Sequence, residues 1–138
     1  MSTEESKDLA RRAWEIVNSG KLDLLEEVYA TDLVWHEPDQ EVHGIEEGKR
    51  YVSDELSAFP DSQVSVEDII AEGDKVVSRY TIRATHQGET EEYGPPTGRQ
   101  VELEGITIHR IEDGKIVEEW EAYDNLSMLQ QLGLAADQ

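Results

Sequence analysis

The stretch Gly105-Ile-Thr-Ile-His-Arg-Ile-Glu-Asp-Gly-Lys-Ile-Val-Glu-Glu-Trp-Glu-Ala-Tyr-Asp124 holds two alternating runs that meet at Glu112-Asp113-Gly114. Asp-Gly between strand-like runs signals a tight hairpin, because glycine supplies the positive φ that such a turn needs. Side chains along each strand then alternate between faces. On the second predicted strand Ile116, Glu118, Trp120, Ala122 and Asp124 share one face, and Val117, Glu119, Glu121 and Tyr123 share the other. On the first, Thr107, His109 and Ile111 share a face. A pocket on the right side of this sheet would hold an imidazole, an indole and a carboxylate together, a set able to move protons.

Outward from the hairpin, the period stays at two back to Gln63. Val64, Val66 and Ile69-Ile70 form one predicted strand, Gly73-Asp74 turns, and Val76 to Gln87 forms another, so that four long strands make a meander. Between the second and third lies Gly88 to Gly98, whose Pro95 and Pro96 forbid a central strand and stiffen the connection. The N-terminal third reads as helical. Ser2-Thr-Glu-Glu5 fits a capping box, Leu9, Ala13, Ile16 and Val17 recur at helical spacing, and Asn18-Ser-Gly20 stops the run. A short helix over Lys21 to Tyr29, a short strand over Leu33 to Glu37, a loop from Asp39 to Gly44 and a helix from Ile45 to Phe59 follow. A last helix spans Leu126 to Leu132, stopped by Gly133. Helices first and a mostly antiparallel sheet second is an α+β pattern. A strongly twisted sheet half-wrapped around the N-terminal helices makes a cone, with a pocket between helices and strands.

At 138 residues the chain suits a single domain. Thirty-two acidic residues against 12 basic ones leave a formal charge of −20, which repels nucleic acid and anionic membranes. The acidic residues are dispersed, and only five of the basic residues are Lys. Such a surface resembles that of proteins from salt-accumulating halophiles, where ionic strength screens self-repulsion. Neither end carries a signal-peptide pattern and no apolar run approaches a membrane span, so a soluble, cytoplasmic protein is expected. Cysteine is absent, which removes disulfides, thiol nucleophiles and thiolate metal sites. No two histidines fall at metal-ligand spacing, and no phosphate loop or Gly-x-Ser-x-Gly elbow is present. Neither metal nor cofactor is expected.

Several short motifs occur together: Asn18 to Gly20, Leu22 to Leu25, Asp32-x-Val-x-His36, Phe59-Pro-Asp61, Glu72-Gly-Asp74 followed by Arg79, and Thr85-His-Gln-Gly88. Pro95-Pro-Thr-Gly98 and Gly114-Lys-Ile-Val-Glu-Glu-Trp120 follow, running through Asp124 to Gln131-Leu-Gly133. Their order and spacing over nearly the whole chain resemble the SnoaL-like polyketide cyclase (ester cyclase) family. The resemblance implies the cone-shaped α+β barrel shared with nuclear transport factor 2, ketosteroid isomerase and scytalone dehydratase. It also implies ring closure by intramolecular aldol condensation, with an acid/base aspartate and no metal or cofactor. That aspartate follows Trp by four residues, which carries its role onto Asp124. A pocket histidine carries over onto His109, with Arg110 as the alternative one residue away. The fold also hosts non-catalytic binders, hydrolases, dehydratases and isomerases, which stand as alternatives.

For such chemistry a base must remove a proton beside a carbonyl, and a donor must hold the resulting enolate. Asp124 beside Trp120 is the expected base, although Asp124-Asn-Leu also precedes an apolar run in the manner of a helix N-cap. His109 and His36 are the expected assistants, and each could equally be a structural strand histidine. Trp120, Trp35, Tyr51, Thr107 and His86 are candidate substrate contacts in a cavity for a flat small molecule. Arg79 and Arg83 are expected to pair with carboxylates on the sheet surface. The uncovered face of the sheet predicts a homodimer.

Overall fold

A computed structural model describes residues 1–136. Helix α1 spans Thr3–Ser19. Its start is closed by the capping box read from the sequence: Ser2 Oγ accepts from the Glu5 amide at 3.1 Å, and the Glu5 carboxylate accepts from the Ser2 amide at 3.0 Å. Gly20 ends it in the left-handed region. The short helix expected over Lys21 to Tyr29 is a 3-10 helix at Leu22–Glu27. Strand β1 spans Tyr29–His36, and strand β2, Glu41–His43, occupies part of the stretch expected as loop. Helix α2 spans Ile45–Ala58. Four long strands follow, β3 at Gln63–Glu72, β4 at Lys75–Thr85, β5 at Gln100–Glu112 and β6 at Lys115–Tyr123, and helix α3 at Asn125–Leu132 closes the chain.

The six strands form one curved, unclosed sheet in the order β2-β1-β6-β5-β4-β3. All neighbours are antiparallel except β1 and β6, which run parallel with His36 level with Trp120. The β5–β6 turn has Asp113 at φ 52° and Gly114 at φ 76°, the two positive values of a tight primed hairpin turn. Three residues past that turn the pairing slips: Ile111 faces Ile116, but Arg110 faces Glu118. This β-bulge adds one residue to β6 and reverses which of its side chains face inward from there on.

Helices α1 and α2 cover the concave face. One core cluster gathers Ile16, Leu25, Leu33, Trp35, Val76 and Ile116, and a second, at the other end of the cone, gathers Phe59, Ala84, Leu103, Met128 and Leu132. Gly105 lies opposite Tyr80 across β4 and β5, and a Cβ there would come within 2.4 Å of the Tyr80 phenol oxygen. Only glycine lets that ring lie flat over the strand. On the convex face Arg79 pairs with Asp68 and Glu104, and Arg83 with Glu102. Among the described residues no helix is long and apolar enough to cross a membrane.

Candidate active site

Between the two core clusters lies a cavity of about 160 Å³, lined by side chains from both. An apolar cavity of about 150 Å³ takes a benzene ring, so this one suits a single ring or a fragment of similar size. Its aliphatic wall includes Val17, Val52, Leu56, Ile82 and Leu103, and its aromatic wall includes Trp14, Trp35, Tyr51, Phe59 and Tyr123. Set among them are four carboxyl groups, Glu37, Glu55, Glu119 and Glu121.

The strand pattern explains how carboxyls come to line a core. Beyond the bulge, β6 points Glu119, Glu121 and Tyr123 inward, where Glu119 pairs across the sheet with His109 and Glu121 with Thr107. Glu37 follows the last residue of β1, and parallel pairing of β1 with β6 brings it next to Glu121. Burial first, and the facing Glu121 carboxylate second, push Glu37 far above the usual carboxylate range. The shift favours a neutral Glu37 beside Glu121, and Glu37 Oε2 is buried without a hydrogen-bond partner. The Tyr80 hydroxyl also donates to Glu121 Oε1. Burial, with carboxylates nearby, raises Tyr80, Tyr51 and Tyr123 as well, keeping all three as neutral donors.

Glu119 is built into a second network. Its Oε2 accepts from Tyr29 Oη at 2.7 Å and bonds His109 Nδ1 at 2.5 Å, while His109 Nε2 meets Ser78 Oγ at 2.9 Å. His109 is 1% exposed and packs edge-on to Trp14, one layer behind the cavity wall. Glu55, on α2, is weakly supported. Its one hydrogen bond, from Tyr93 Oη, is 3.5 Å long, and burial followed by repulsion from Glu92 and Asp39 pushes it up to about 8. Among the described residues no lysine or arginine pairs with any of the four; the sole basic partner is His109 on Glu119. Trp35 Nε1 and Thr107 Oγ1, on buried residues of the same wall, find no hydrogen-bond partner.

Of the residues expected from sequence, Trp35, Tyr51 and Thr107 line this cavity, and His109 lies directly behind it. The others lie outside the cavity lining. Asp124 is exposed and caps α3, its Oδ1 accepting from the Ser127 amide at 2.9 Å, so the capping alternative describes its position. Trp120 and His36 stack on the convex face with centroids 5.5 Å apart, and His36 bonds Glu118 and Glu41 at 2.7 Å each. Those bonds, Glu118 first, raise the imidazole's pKa. The bulge is the physical reason for Asp124 and Trp120, because it breaks the face shared with Ile116. His86 is fully buried outside the cavity between Phe59 and Tyr93, its Nδ1 accepting from the Thr97 amide at 3.2 Å. Sequence reasoning missed Glu37, Glu55, Glu119 and Glu121 as cavity groups.

A curved, unclosed sheet with helices on its concave face and a cavity between them defines the class of nuclear transport factor 2-like α+β domains. Within that class the chain belongs to the SnoaL-like polyketide cyclase family, whose model matches residues 7–132. It is similar to the candidate hydroxylase AclR from Streptomyces galilaeus, at 34% identity and TM-score 0.85 over 99% of this chain and 89% of that one. It is also similar to IdmH, a candidate polyketide cyclase from Streptomyces antibioticus, at 36% identity and TM-score 0.80 over 93% and 98% of the two chains. A candidate SnoaL-like cyclase from Jannaschia sp. CCS1 shares the fold at TM-score 0.88 and 21% identity, over 97% of this chain and 95% of that one. No curated protein matches the chain.

Proposed function

We propose that this protein is an acid/base enzyme that closes a ring in a small carbonyl compound by an intramolecular aldol-type step, using its own side chains. The observation that carries the reading is the carboxyl pair in the cavity, Glu37 beside Glu121 with its pKa driven upward by burial, and Glu121 held by Tyr80. Two like charges at such proximity do not both ionise, so the pair holds one proton and offers a base and an acid side by side. Glu121 takes a proton from the carbon next to the substrate carbonyl. The enolate carbon forms the new bond to the second carbonyl carbon, whose oxygen takes the proton from Glu37. One proton then passes from Glu121 to Glu37, and the pair is restored with no net gain or loss.

The enolate oxygen needs a donor, and Trp35 Nε1, without a partner on a cavity-lining residue, supplies one. Glu119, held by Tyr29 and His109, serves as a second site for a mobile proton, with His109 acting through it as a positioning residue. Polar groups this few, set in an apolar wall, orient one substrate face.

Glu121→Gln tests the reading. Turnover on cyclisable 1,3-dicarbonyl compounds is expected to fall by roughly 10²–10⁴, the range of a general base, with far-UV circular dichroism unchanged. Undiminished turnover removes Glu121 from the chemistry. The expected pairing of two copies through the convex sheet face belongs to the same reading, and sedimentation at high salt returning a single 15.6 kDa species rejects it.

A further inference from the structure

The charge of the cavity says what kind of molecule fits it. Four carboxyl groups reach its wall, and none has a lysine or arginine partner among the described residues. The mechanism above uses Glu37 and Glu121, and Glu119 is held by His109 and Tyr29, which leaves Glu55 unassigned. Glu55 lines the cavity from α2, with only the long contact from Tyr93 Oη to support it. A buried carboxyl with so little support is costly unless something pairs with it. Thr107, 2% exposed, adds a hydroxyl oxygen on the same wall with no partner, an acceptor for an N–H donor.

The aromatic rings point the same way. Trp14, Trp35, Tyr51 and Phe59 line the cavity, and the faces of such rings attract a desolvated cation. Outside it, Asp39, Asp54, Glu89, Glu91 and Glu92 border a second cleft that contains Tyr93, again with no lysine or arginine on its wall among the described residues. A cleft of one sign raises the local concentration of an oppositely charged solute. An anionic substrate, such as a free keto acid, would meet repulsion outside and inside.

Building on the acid/base reading, we propose that the substrate of this cavity carries a positively charged nitrogen, an amine or ammonium group, alongside its carbonyl. The ammonium pairs with Glu55 and donates to Thr107, the rings cover its hydrocarbon neighbours, and the carbonyl lies toward Glu37, Glu121 and Trp35. In free enzyme Glu55 is protonated over much of the neutral range, so binding a cation releases its proton.

Three single-ring probes of matched size test this: benzylammonium, benzyl alcohol and benzoate, titrated at high salt by calorimetry. The indole N–H resonances of Trp14 and Trp35 serve as the reporter of cavity occupancy, which separates cavity binding from adsorption to the acidic surface. Benzylammonium is expected to bind at least tenfold more tightly than benzyl alcohol, to shift the indole signals and to release a proton, while benzoate does none of these. Glu55→Gln is expected to abolish the preference and the proton release while leaving benzyl alcohol binding intact. Equal binding of amine and alcohol, indole shifts with benzoate, or an amine preference that survives in Glu55→Gln each overturns the proposal. The probes report binding without turnover, so a lost preference with Glu121→Gln still inactive refutes this inference alone. A retained preference with Glu121→Gln fully active refutes the catalytic reading instead.

Discussion

Replacing Glu55 by glutamine removes a titrating group while keeping its size and hydrogen-bonding shape. In the folded protein burial pushes Glu55 from 4.5 up to about 8, whereas the unfolded chain leaves it near 4.5. Between those values the folded state holds a proton that the unfolded state has released. Stability therefore falls as pH rises through the window, because the more protonated state is the folded one. Each unit of difference is worth about 1.4 kcal/mol, and partial exposure to solvent discounts the sum to roughly 2–4 kcal/mol across the window. That is a large share of a typical folding stability of roughly 5–15 kcal/mol. The assay is urea unfolding at pH 5 and pH 8 in constant high salt, which screens the −20 surface charge equally in both proteins. The wild type should lose roughly 2–4 kcal/mol more between the two pH values than Glu55→Gln does. Parallel curves, separated by a constant offset, would refute the assignment of Glu55 as a buried, unpaired carboxyl.

Two further substitutions probe the site from its edges. Asp124→Ala removes the cap of α3 and is expected to cost about 1 kcal/mol, read as a lower urea midpoint, with turnover within twofold of wild type. A hundredfold loss of turnover would return Asp124 to the chemistry. Gly105→Ala drives a methyl group into the Tyr80 ring, so a cost of roughly 1–3 kcal/mol is expected. Turnover should fall further than stability explains, because Tyr80 then leaves Glu121; activity equal to that of Tyr80→Phe would locate the effect there, and unchanged activity would refute it.

The architecture is largely legible in the sequence, since it rests on local signals. Ser2 and Glu5 announce the start of α1, Gly20 and Gly133 end their helices, and Asp113-Gly114 makes the hairpin. The short β2 escaped notice because three residues carry too little period to register, and it exists only by pairing with β1. At the site, Thr107 and His109 do face inward as their alternation implies, because β5 stays in phase throughout. On β6 the same alternation misleads. Ile116 is buried, Trp120 is large and apolar, and their even spacing suggests one face, yet the bulge between them sends Trp120 outward and Glu119 and Glu121 inward. Nothing in the run Ile116-Val117-Glu118-Glu119 marks the slip, since both phases offer a carboxylate to each side. Glu37 was hidden for another reason: its partner is more than half the chain away in sequence.

The parallel alignment of β1 with β6 sets His36 level with Trp120, and the next residue on each side is Glu37 and Glu121. Parallel neighbours cannot be joined by a tight turn, so bringing these two strands abreast closes a loop that spans more than half the chain. The juxtaposition of Glu37 and Glu121 thus belongs to the completed tertiary structure. No excised hairpin or half-sheet holds this pair, and on the proposed mechanism a chain that had recovered every strand but not this alignment would look folded by its spectrum and be inactive.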